Sequence, residues 1–103
     1  MDTLVKSPGL PRAYANITEV LVNSGCYQEA VRYGNRGVRI KSDRYTFVIY
    51  YNLSLAHYHL GNYIPSYQCA KMAMELNKNN LTINLVKIIG NNTGYDVNVT
   101  KGE

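Results

Sequence analysis

Few side chains in this sequence could do chemistry, and their spacing argues against most of it. His57 and His59 are the two histidines. On a helix, residues two apart point about 200° from one another, so these cannot share a metal ion. Cys26 and Cys69 form neither a CxxC pair nor any other metal-ligand spacing, which leaves two free thiols as the simplest expectation. No pair of the seven acidic residues sits at a spacing that suits general acid–base work, and no glycine-rich phosphate loop occurs. The chain is therefore expected to be noncatalytic, with no cofactor and no metal.

Three other groups have recognition chemistry. Arg32, Arg36 and Arg39 fall, with Lys41 and Glu29, in one expected helix of a chain with formal net charge +4. That pattern suits a solvated helix face better than a nucleic-acid contact, so nucleic acid is not the expected partner. Five Asn-x-Ser/Thr triplets begin at Asn16, Asn52, Asn80, Asn91 and Asn98. In so asparagine-rich a chain they read as coincidence, with Asn16 and Asn52 inside helices. Asparagine amides and tyrosine rings could instead recognise a peptide, since an amide pairs with extended backbone and a tyrosine offers area plus a hydroxyl.

These groups need a scaffold. With 103 residues, 46% hydrophobic and 17% charged, the chain makes one small folded domain. No apolar run approaches the roughly 20 residues of a membrane span. The N-terminus lacks a cationic segment followed by a long apolar core, so no secretory signal is expected and the cytoplasm is the expected location. Residues 1–10 read as a flexible leader, broken by Ser7-Pro8-Gly9; residues 11–89 form the domain, and 90–103 a flexible tail.

Within the domain the spacing predicts about five helices. The first starts near Pro11, carries Tyr14, Ile17 and Leu21 as its apolar stripe, and ends at Asn23-Ser24-Gly25. A second runs from about Gln28 to Lys41 and contains Gly34 and Gly37. Each glycine costs about 1 kcal/mol against alanine in a helix interior, a cost that close approach of a neighbouring helix would offset. Tyr45 to Leu60 is the third helix, Gly61-Asn62 a turn, and Ile64 to Asn77 the fourth, with Pro65 tolerated in its first turn. Leu81 to Ile89 is a short apolar segment, helix in preference to strand, broken by Gly90-Asn91-Asn92-Thr93-Gly94.

The turn glycines Gly25 and Gly61 are 36 residues apart. Aligned on them, Tyr14 falls on Tyr50, Ile17 on Leu53, Thr18 on Ser54 and Leu21 on His57. Further along, Cys26 meets Asn62, Tyr27 meets Tyr63, Ala30 meets Ser66, Gly34 meets Ala70 and Gly37 meets Ala73. Bulky and small classes persist at nearly every position, the signature of a helical solenoid in which each hairpin buries its stripe against a neighbour. The uncovered segment 81–89 is then a capping helix, the start of a further repeat, or a homodimer contact.

On these residues the chain resembles the tetratricopeptide repeat family. Tyr50, Leu53, Ser54, His57, Gly61, Tyr63, Ser66 and Ala73 take the family's places in the second repeat. Tyr14, Ile17, Thr18, Leu21, Gly25, Tyr27, Ala30 and Gly37 take them in the first. The likeness covers about Pro11 to Asn80. It departs where the family has a second-helix aromatic (Gly34 and Ala70 here) and a closing proline (Ser42 and Lys78). The period also exceeds the usual value of about 34, as a connector lengthened around Arg44 to Thr46 would give. The small-residue faces so created would receive an aromatic such as Tyr50 on Gly34 and Gly37.

The resemblance implies an all-α stack of helix-turn-helix pairs whose concave groove, lined by the first helix of each pair, binds a protein or peptide segment. Carried over, that face is Arg12, Ala15, Asn16, Glu19, Val22 and Asn23, then Val48, Tyr51, Asn52, Leu55, Tyr58 and His59. Asn16 and Asn52 are equivalent and stand where the family often grips peptide main chain. The cationic clamp of chaperone-binding members is matched only at Arg12, so a chaperone-tail adaptor is not expected. His57 takes a core place. The alternative is a peptide-sensing or dimerisation fragment of a transcription regulator, since such bacterial regulators carry similar repeats.

Overall fold

Gly25 and Gly61 adopt left-handed backbone, with φ of 80° and 82°, and each reverses the chain between two helices. The computed structural model describes residues 10–40 and 44–94. Among these, five helices follow in order: α1 (Leu10–Asn23), α2 (Tyr27–Gly37), α3 (Thr46–His59), α4 (Tyr63–Leu76) and α5 (Asn80–Thr93). The fold is all-α, with no strand among the described residues. Residues 1–9 of the expected leader, residues 41–43 of the connector, the tail from 95 and the triplet at Asn98 lie outside them, while Leu10, the leader's last residue, begins α1.

The two turns match bond for bond. Gly25 N–H donates to the Val22 carbonyl at 3.1 Å and Cys26 N–H to that of Leu21 at 2.8 Å. Gly61 N–H donates to Tyr58 at 3.1 Å and Asn62 N–H to His57 at 2.8 Å. This is the paired-bond glycine cap, in which the left-handed residue's own amide and the one after it close two of the helix's last carbonyls. The 36-residue repeat is thus a repeat of hydrogen bonding as well as of residue class.

Between the pairs, the glycines of α2 permit close approach. A Cβ placed on Gly34 would fall 2.6 Å from Leu53 Cδ2, and one on Gly37 would fall 2.8 Å from Tyr14 Cβ and 2.9 Å from Ile49 Cδ1. The residues that use this space are Leu53, Ile49 and Tyr14. Tyr50, one residue round the helix from Ile49, packs at the edge of the same cluster. The next interface uses the counterparts Ala70 and Ala73, both fully buried.

The core forms two clusters along the stack. Ala15, Ile49 and Leu53 anchor one between the pairs; Ala70, Leu85, Val86 and Ile89 anchor the other between α4 and α5. Helix α3 serves both, burying Ile49 and Leu53 in the first and lending Tyr51, Leu55 and Tyr58 to the second.

Three expectations need correction. Helix α2 stops at Gly37, short of Lys41, and tighter three-residue bonds from Arg39 to Arg36 and from Ile40 to Gly37 wind the chain off it. Ile17, expected in the apolar stripe, is 40% exposed, while α1 turns Ala15 and Thr18 inward. Its counterpart Leu53 is buried on the preceding pair, and no described helix precedes α1. Last, α5 runs through Gly90 to Thr93, past the boundary drawn at Ile89. Its start is fixed by reciprocal Asn79–Thr82 capping at 3.0 Å each way, and Gly90 is buried in packing that outweighs its low helix propensity. The stop is Gly94, at φ 89°.

Candidate recognition cleft

One open cleft of about 410 Å³ lies across the first helices of the stack. Its lining is Glu19 and Asn23 from α1, Phe47, Val48, Tyr51, Asn52 and Leu55 from α3, and Leu81 from α5. None comes from α2 or α4. The α3 contribution follows from helical geometry: Phe47, Tyr51 and Leu55 are spaced by four, as are Val48 and Asn52, so both rows face one way.

Asn52 is 5% exposed. Its Nδ2 donates to Thr18 Oγ1 at 3.1 Å and, at 3.5 Å, reaches the Ala15 carbonyl. The Thr18 hydroxyl has one proton to give, shared between the Tyr14 and Ala15 carbonyls at 2.9 and 3.0 Å. Asn52 therefore joins α3 to α1 through its NH₂ group, while its amide also lines the cleft. Oδ1 is the acceptor it can offer a ligand.

Of the expected groove residues, the cleft brings together Glu19, Asn23, Val48, Tyr51, Asn52 and Leu55. The others lie elsewhere. Arg12 is exposed on α1 outside the lining. Asn16 sits beside a shallow apolar hollow with Ile17, Val20 and Leu21. Ala15 is buried between α1 and α3. Tyr58 packs on the α4–α5 cluster, its ring 5.7 Å from that of Tyr63. His59 is exposed and stacks on Tyr27 at 4.5 Å and 10°. Positions 58 and 59 keep the face of 51 and 52, being seven residues on, but stand two turns further along α3, past the lining of the cleft.

Phe47 and Leu81 are lining residues that the repeat alignment misses. Phe47 was findable, standing one turn before Tyr51. Leu81 was not, since its place depends on how α5 packs; it is 64% exposed.

The histidines and cysteines lie outside the cleft. His57 is half-buried, and burial holds its pKa below the usual value. Its Nδ1 accepts from Asn62 Nδ2 at 3.3 Å, as a neutral imidazole can. Burial pushes the Cys69 thiol up to about 11, while Cys26 is exposed; both are free. Among the described residues no three His, Cys, Asp or Glu side chains are grouped to hold a metal, and no helix is long and apolar enough to cross a membrane. Arg32 and Arg36 are exposed on α2, but Arg39 lies beyond its end, so the three do not share one helix.

No protein-family model, no curated protein and no solved structure matches the chain.

Proposed function

We propose that the chain is a noncatalytic, tetratricopeptide-like module that takes an extended peptide or protein segment into the cleft across α1, α3 and α5. One observation carries this reading. All eight lining residues come from the first helix of a pair or from α5, which stands where a third first helix would. A repeat array that binds through its concave side uses those helices. The mechanism is shape and hydrogen bonding on a rigid support: Phe47, Val48, Leu55 and Leu81 supply apolar area, and Asn23, Tyr51 and Asn52 supply polar contacts. A cytoplasmic setting suits the free cysteines.

The test is a peptide array, with each hit mapped by amide chemical shifts on the intact chain. Shifts should gather on Glu19, Asn23, Phe47 and Leu81. Leu81→Arg, at an exposed site, should weaken binding at least tenfold with helicity unchanged. Shifts gathered on α2 and α4, or no binding peptide at all, would overturn the proposal. A second reading, self-association through α5, draws on Ile88, which is 55% exposed; sedimentation over a concentration series decides it.

A further inference from the structure

We infer that the cleft prefers an apolar segment carrying a cationic side chain, with Glu19 as its counter-charge. This rests on the peptide-binding reading above and adds what that reading leaves open, the chemistry of the ligand. Glu19 is the one charged residue among those lining the cleft. A carboxylate only accepts hydrogen bonds. Asn52, which lines the same cleft from α3, has its NH₂ group committed to Thr18 and the Ala15 carbonyl. Toward a ligand it too presents an acceptor, Oδ1.

The polar rim is therefore weighted toward acceptors. Asn23 and the Tyr51 hydroxyl can give or take, but no lining residue carries a positive charge. A ligand that fits must bring donors: backbone N–H groups opposite Asn52, and an ammonium or guanidinium opposite Glu19. Its other side chains meet Phe47, Val48, Leu55 and Leu81, so they are apolar. An acidic segment would put like charges together and leave Glu19 desolvated without a partner. The whole chain's charge of +4 runs the other way. The preference therefore comes from contact inside the cleft and appears as slower dissociation, not faster capture.

Three capped, fluorescein-labelled heptapeptides test this, sharing Leu-x-Phe-x-Leu with x as Lys, Gln or Glu. Fluorescence anisotropy should rank affinity as Lys above Gln above Glu, with Lys about three- to tenfold tighter than Gln, as one partly exposed charge-assisted contact gives. Glu19 is exposed, so substituting it leaves folding intact. Glu19→Gln should erase the Lys advantage and Glu19→Lys should invert the order. Equal binding of the three peptides, or a Lys preference that survives Glu19→Gln, overturns the inference while leaving the peptide reading standing. Failure of all three to bind the native chain overturns both. Peptide binding that competes with self-association in sedimentation assigns the cleft to a second copy and also overturns it.

Discussion

The two helical pairs turn on the same hydrogen bonds yet are held together differently. In the second, Ser54 and Ser66, both fully buried, exchange bonds across the hairpin. Each hydroxyl donates to the other's carbonyl at 2.8 Å. In the first, Thr18 stands in Ser54's place, but its partner position is Ala30, which has no hydroxyl. Thr18 turns to its own helix and receives Asn52 from the second pair. The second pair thus closes on itself, while the first is closed by its neighbour. Among the described residues, the first pair is the one whose buried hydroxyl is bonded from outside it.

The largest effect should come from the interface that joins them. Leu53→Ala removes a buried side chain that fills the space above Gly34. It should cost about 2–5 kcal/mol, as large-to-small changes in a core do. The equivalent Ile17→Ala, at a 40% exposed site, should cost under about 1 kcal/mol, since little area returns to water. Urea denaturation of the two variants measures both. Equal losses would mean that something covers Ile17 as thoroughly as α2 covers Leu53.

The asparagine pair gives a finer test. Asn16 and Asn52 occupy the same repeat position, but one is exposed and the other is buried on Thr18. Asn52→Ala should cost about 1–2 kcal/mol, the range for losing a buried hydrogen bond. Asn16→Ala should stay within about 0.5 kcal/mol, as surface changes do. If the first pair depends on this bond, amide exchange in Asn52→Ala should quicken in α1 and α2 and not in α4. Uniform quickening would instead mean that the two pairs unfold as one unit.

These contrasts also show where the sequence is legible. Gly25 and Gly61 announce both turns because the rule they follow is local: a left-handed residue must end the helix. The small faces at Gly34, Gly37, Ala70 and Ala73 are legible for the same reason, as each glycine in a helix needs a close neighbour to offset its cost. What fills those faces is not local: Leu53 and Ile49 take the space and Tyr50 packs at its edge. Gly90 could pass for a breaker because its burial under the α4–α5 packing depends on distant residues. The alignment makes Asn16 and Asn52 equivalent, yet Asn52 meets Thr18 of the preceding pair while no described pair precedes Asn16, and no repeat position records that. The cleft was half legible: Tyr51, Asn52 and Leu55 follow from helical spacing, whereas Leu81 needs the third layer in place.

The smallest effect concerns the turn itself, where the second pair has His57 and the first has Leu21. Burial lowers the folded-state pKa of His57 below its unfolded value near 6.5. The unfolded chain then binds a proton more readily than the folded one, so stability rises with pH across that interval. The contribution of His57 is complete above its unfolded pKa and fades as pH falls through the folded value. Melting temperature should therefore drop modestly between pH 7.5 and pH 5. His57→Leu, which copies the first pair, should flatten that slope while giving up the Asn62 contact at an exposed site. A slope unchanged in His57→Leu would place the titration elsewhere.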